Sequence, residues 1–147
     1  MAGGSAVVKI PLNPKDKLSY RLAFAQILHL ALEDGLPRSW LKKRLGLWVY
    51  DGTQIPTNRK IMSVGGIDPL VKLWSEWQEV ERSVLRALVK KNPRRLAKLA
   101  TAIQRDKYTT LQAVKSLQRK GLVVFEEWPW KVVRLTPKGK REARMLG

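Results

Sequence analysis

The chain has 147 residues, of which 44% are apolar and 28% charged, which excludes wholesale disorder and allows one ordinary domain or two very small ones. Its 29 Lys and Arg against 12 Asp and Glu leave a net +17, so its natural partners are polyanions: DNA, RNA, a ribosome or an anionic membrane all fit the bulk charge. The absence of cysteine excludes disulfides, Cys-based zinc sites and thiol nucleophiles.

In chain order, Val7–Leu12 meets Pro11 and Pro14 and reads as an extended arm. Leu18–Asp34, containing LAFAQILHLALE, reads as a helix that is apolar around most of its circumference and therefore largely buried. His29, in its middle, reads as a hydrogen-bonded core histidine. Gly35 and Pro37 end this helix. Pro37–Leu45 reads as a short basic helix stopped by Gly46. In LWVYDGTQIP (47–56), aromatic and β-branched residues flank Asp51-Gly52, a hairpin signal. Thr57–Gly66 carries no clear pattern, and Gly65-Gly66 marks a break. Asp68-Pro69 then supplies an N-cap and a first-turn proline. An apolar stripe follows at Leu70, Leu73, Trp74, Trp77, Val80, Val84 and Leu88. It fits one long helix or, through a Ser75/Gln78 capping box, two.

The remainder is more regular. Arg94–Ile103 reads as a short helix after Asn92-Pro93. Asp106–Lys120 reads as another, capped by Asp106 and ended by Gly121. Leu122–Glu127 and Lys131–Leu135 read as strands around Trp128-Pro129-Trp130, and Thr136-Pro137 opens a last helix. The expected fold class is mainly α with a small β-wing. The expected domains are 1–67, a helical N-terminal region with a hairpin signal, and 68–147, the nucleic-acid-binding part. Charge supports that division: residues 78–147 carry 18 basic and 6 acidic side chains, net +12, against net +5 for residues 1–77.

On a helical wheel of 106–120, Thr110, Ala113, Val114 and Leu117 share a core face. Tyr108, Gln112, Lys115 and Arg119 share the opposite one. Gln can bond adenine bidentately and Lys can reach guanine or phosphate. Thr109 and Leu111 flank the stripe, where they could touch thymine methyls, and Lys107 adds charge at its start. Arg94, Arg95 and Lys98 are candidate phosphate contacts on the preceding helix. Trp128, Trp130 and Lys131 are candidate contacts on the ribbon, although the tryptophans could equally pack back onto the first helix.

The stretch LATAIQRDKYTTLQAVKSLQRKGLVVFEEWPWKVVRLTPKGK resembles the MarR-type winged helix-turn-helix family. Leu99-Ala100 matches its second helix. Leu117-x-x-x-Gly121-Leu122-Val123 matches the end of its recognition helix and the first wing strand. Arg134-Leu135-Thr136-Pro137-Lys138-Gly139 matches the second wing strand and following turn. The likeness covers roughly the last 70 residues. It implies a winged helix in the C-terminal half, with helix 106–120 in the major groove and a wing at 122–135. Three departures stand out: Gln104-Arg105 replace the usual Gly and apolar residue of the turn, Trp-Pro-Trp replaces the acidic and arginine wing tip, and the long C-terminal dimer helix is missing.

The expected function is therefore a double-stranded DNA-binding protein, a sequence-specific transcriptional regulator acting as a homodimer. The alternatives are a low-specificity replication or architectural DNA-binding protein and an RNA- or ribosome-associated winged helix. Arg38, Lys42, Lys43 and Arg44 faintly echo a second helix-turn-helix, against the simpler reading of a helical dimerisation region with a solvated basic face. No Walker loop, dinucleotide glycine motif or nucleophile elbow occurs, and a lone His29 is no metal site. The sequence thus points away from an enzyme, from any cofactor or metal, and from a membrane partner. With no apolar stretch long enough to span a bilayer, it points to the cytoplasm.

Overall fold

The computed structural model describes residues 17–49 and 56–146. The expected arm at 7–12 and the Asp51-Gly52 turn lie outside the described residues. The protein is mainly helical, with a small three-stranded antiparallel sheet. It forms two compact units, residues 1–76 and 77–147, which divide inside one long helix.

In the first unit, α1 (Lys17–Glu33) buries Ala23, Phe24, Ile27, Leu28 and Ala31, a stripe at helical spacing. The opposite side is more open than the sequence suggested. Leu18 and Leu22 are exposed, and so is His29, whose Nε2 lies 2.9 Å from the Glu33 carboxylate. His29 is therefore a surface residue one turn from an acid, not a core histidine. Helix α2 (Arg38–Trp40) runs on into a π-helical turn at Leu41–Leu45, closed by Gly46 at φ 65°. The unpatterned segment holds a short helix, α3 (Asn58–Ser63). Its N-cap is Thr57, whose hydroxyl accepts from the Lys60 amide. At the Gly65-Gly66 break, a Cβ on Gly66 would stand 2.6 Å from the Tyr20 hydroxyl. That hydroxyl in turn accepts from the Ile67 amide.

The apolar stripe after the break forms a single helix, α4 (Ile67–Lys90), with no second start at Ser75. Leu70, Leu73, Trp77, Val80, Val84 and Leu88 are all buried. Trp74 is half-buried and donates from Nε1 to Asp34 at 2.7 Å.

The second unit consists of the end of α4, β1 (Arg94–Arg95), α5 (Leu96–Ile103), α6 (Lys107–Arg119), β2 (Val123–Glu126), β3 (Val132–Leu135) and α7 (Pro137–Met145). Its core joins Val80, Val84 and Leu88 to Leu99, Val114, Leu117, Val123 and Val133, each no more than 2% exposed. The strand β1 is a correction: Arg94 and Arg95 were expected inside a helix. Arg94 instead pairs with Val133 and Arg95 with Val132, giving the sheet order β1-β3-β2. Arg95 keeps an extended backbone and becomes the N-cap position of α5. The pairing partner lies far along the chain, so local propensity could not reveal it. Asn92 reinforces the edge by accepting from the Leu135 amide through its side-chain oxygen. Helix α7 is capped by Thr136, whose hydroxyl accepts from the Gly139 amide. Gly139 is needed for space, because a Cβ there would fall 1.9 Å from the Leu122 carbonyl oxygen.

Candidate nucleic-acid interface

Helices α5 and α6 meet at a tight turn. Gln104 takes the left-handed conformation at φ 58°, ψ 43°, the position where the resembled family has glycine. The Arg105 amide then closes the turn on the Ala100 carbonyl at 3.1 Å. Asp106 starts α6. Its carboxylate accepts from the Thr109 hydroxyl at 2.6 Å and from the Thr109 amide at 3.0 Å. These two bonds hold the Asp106 carboxyl below the ordinary aspartate range, the hydroxyl's being the larger effect.

The cap changes what α6 presents. Thr109 is buried at 7% exposure with its hydroxyl committed to Asp106, so it does not join the outward stripe where the sequence placed it. Thr110, Ala113, Val114, Ser116 and Leu117 complete the buried face. Lys107, Tyr108, Lys115 and Arg119 are exposed, while Leu111 and Gln112 are half-buried beside them. Helical spacing puts these six on one side of α6. Among the described residues, no ion pair engages Lys107, Lys115 or Arg119.

Two contacts fix the far end of α6. Glu81 on α4, only 6% exposed, accepts from the Ser116 hydroxyl at 2.8 Å and from Lys120 Nζ at 2.7 Å. Gln118 accepts from the Phe125 amide and so joins α6 to β2. Sequence reasoning missed Glu81, although its position, one turn after Trp77 and one turn before Leu85, already places it on the core side of α4.

Beside α5, Lys91, Arg94, Arg95 and Lys98 line a cleft of about 520 Å³ together with Pro93 and Thr101. No acid lines it. Arg94 Nε is buried without a hydrogen-bond partner among the described residues. Four cations around one concavity without an acid make its potential favourable to anions. Arg95 also places its guanidinium 4.9 Å from the Trp130 ring centroid. The predicted phosphate contacts Arg94, Arg95 and Lys98 thus come together, from a strand and a helix rather than from one helix.

The turn between β2 and β3 carries Trp128 and Trp130 outward, at 86% and 61% exposure. Lys131, exposed and at φ 51°, donates its amide to the Glu127 carbonyl and accepts the Leu96 amide on its own carbonyl at 2.8 Å. Glu126 and Arg134 pair across the ribbon at 2.8 Å, so Arg134 has an acid partner at the surface.

In the first unit the basic cluster is partly committed. Arg44 pairs with Glu76 at 2.9 Å and stacks on Trp40, and Lys42 lies 4.0 Å over the Trp48 ring. Among the described residues no group of His, Asp or Glu could hold a metal ion, and no helix is long and apolar enough to cross a membrane. The chain matches no known family model, no curated protein and no solved structure.

Proposed function

We propose that the second unit is a winged-helix module that binds double-stranded DNA, with α6 in the major groove and the β2–β3 ribbon as the wing. The observation that carries this reading is the outward side of α6. Lys107, Tyr108, Gln112, Lys115 and Arg119 lie on a helix held at its start by Asp106 and at its end by Glu81, beside a cleft of four cations. A helix fixed at both ends presents side chains with little loss of freedom, which base readout requires. The element order, including a short strand before α5, also suits a winged helix, and so does the resemblance of residues 99–139 to the MarR-type sequence pattern.

Within this reading, Gln112 and Lys115 contact base edges. Arg95, Lys98, Lys107, Arg119 and Lys131 contact phosphates, which position the module without reading sequence. Sequence-specific regulation is the function this division of labour serves best. As a homodimer, the chain would read two half-sites about one helical turn apart. Selection from random duplex DNA, followed by competition with structured RNA, tests the reading. An enriched duplex motif that RNA fails to displace supports a regulator. Equal affinity for all duplexes points to an architectural or replication protein, and displacement by RNA overturns the DNA assignment. Sedimentation of the free and bound protein tests the dimer.

A further inference from the structure

We propose that Trp128 is a base-stacking ring, and that the protein prefers DNA containing unpaired or already unstacked bases to perfect duplex. This deepens the DNA-binding reading above and rests on it. Trp128 and Trp130 occupy a turn, where glycine, asparagine or aspartate would ordinarily serve. At 86% exposure Trp128 adds almost nothing to the core, so its apolar face remains in water in the free protein. Trp130 differs in being covered on one side by the Arg95 guanidinium.

The turn is held in place from both sides. The Lys131 amide bonds to Glu127, the Lys131 carbonyl accepts from Leu96, and Glu126 faces Val132 in the ladder. Residues 128–130 are the part that stands beyond these bonds. Ordering a ring on such a base costs little entropy when it binds. The Lys131–Leu96 bond and the Arg95–Trp130 contact set the base of the turn at the N-terminus of α5, where Arg95 is one of the four cations lining the cleft, whose charge complements a nucleic-acid backbone. Glu126 is paired with Arg134, but Glu127 is exposed next to Trp128. A carboxylate there disfavours close approach of the tip to phosphates and leaves the base faces as the better target.

The energetic balance selects the substrate. Stacking on an aromatic ring is tolerant of sequence, because every base offers a π-face. Driving a wedge into intact duplex must first open a base step, and that cost is comparable to the gain from one stacked base. At a bubble, bulge or fork the step is already open, so the gain is kept in full. The tip therefore discriminates between open and closed DNA without reading bases.

The test compares a short perfect duplex with the same duplex carrying a central unpaired bubble, in which one base is the fluorescent adenine analogue 2-aminopurine. Full-length protein should bind the bubble about 5- to 150-fold more tightly than the perfect duplex and quench the analogue by stacking. Trp128→Ala should remove both the preference and the quenching, and should melt like wild type because the ring is exposed. Trp128→Phe should restore part of the preference. Equal wild-type affinity for the two DNAs overturns this inference and leaves duplex binding standing. A preference that survives in Trp128→Ala overturns the assignment to Trp128. Failure to bind either DNA overturns the DNA-binding reading itself.

Discussion

The electrostatics of the proposed interface translate into a salt dependence. Arg95, Lys98, Lys107, Arg119 and Lys131 are exposed around α5, α6 and the turn, and no described acid pairs with them. Arg134 and Lys120 are discounted because Glu126 and Glu81 hold them. About five neutralised phosphates give a slope of log K against log[salt] near −4.5, so raising salt from about 50 to about 200 mM should weaken binding about 500-fold. Polarisation of a labelled duplex across a salt series measures the slope. Lys98→Ala should make it shallower by about 0.9, and Glu126→Gln, which frees Arg134, should steepen it by up to about the same amount. The pair of variants is informative because both leave the core untouched. A wild-type slope flatter than about −2, or a Glu126→Gln slope no steeper than wild type, would refute the sorting of cations into free and paired.

Other expectations follow from the same contacts. Gln112→Ala and Lys115→Ala should each cost about 1–3 kcal/mol in discrimination between a selected site and random DNA, with little change in salt slope; competition titrations decide this. Glu81→Ala should lower stability by about 1–3 kcal/mol in urea unfolding, because it strips an acceptor from buried Ser116, while half-buried Lys120 can turn to water. Gly139→Ala should cost about 1–3 kcal/mol or more, since its methyl group meets the Leu122 backbone rather than a yielding side chain. A melting temperature equal to wild type would contradict that close approach. The Asp106 carboxyl titrates below its ordinary range when folded, so it stabilises the fold above the unfolded aspartate pKa. That contribution is lost as pH falls through the lower folded value. Acid unfolding of Asp106→Asn should therefore be less pH-dependent than wild type below about pH 4.

How much was legible in the sequence depended on whether the deciding partner was near in the chain. Asp106 and Gly121 bound α6 by local chemistry, and the observed helix Lys107–Arg119 lies just inside them. Thr136-Pro137 likewise marks the start of α7. The long stripe from Leu70 to Leu88 resolved as one helix because its apolar spacing never breaks at Ser75. Arg94 and Arg95 defeated the same reasoning, since what makes them a strand is Val132 and Val133. His29 was misplaced because α1 is apolar on nearly every side, which leaves a helical wheel without contrast. On α6 the wheel separated Val114 and Leu117 from Lys115 and Arg119 correctly. It could not show that Thr109, at the margin, is claimed by the Asp106 carboxylate.

That carboxylate has one more consequence. Free amides at a helix N-terminus are an attractive seat for a phosphate, and many nucleic-acid-binding helices anchor themselves to the backbone by that end. In α6 the Thr109 amide is already taken, and a negative charge stands at the entrance. Asp106 therefore fills the seat that a phosphate would take at the helix N-terminus, and leaves attraction of a phosphate chain to side chains such as Lys107. In the proposed DNA complex, with that seat filled and the cations set along its side, α6 would lie along a groove rather than abut a strand end-on.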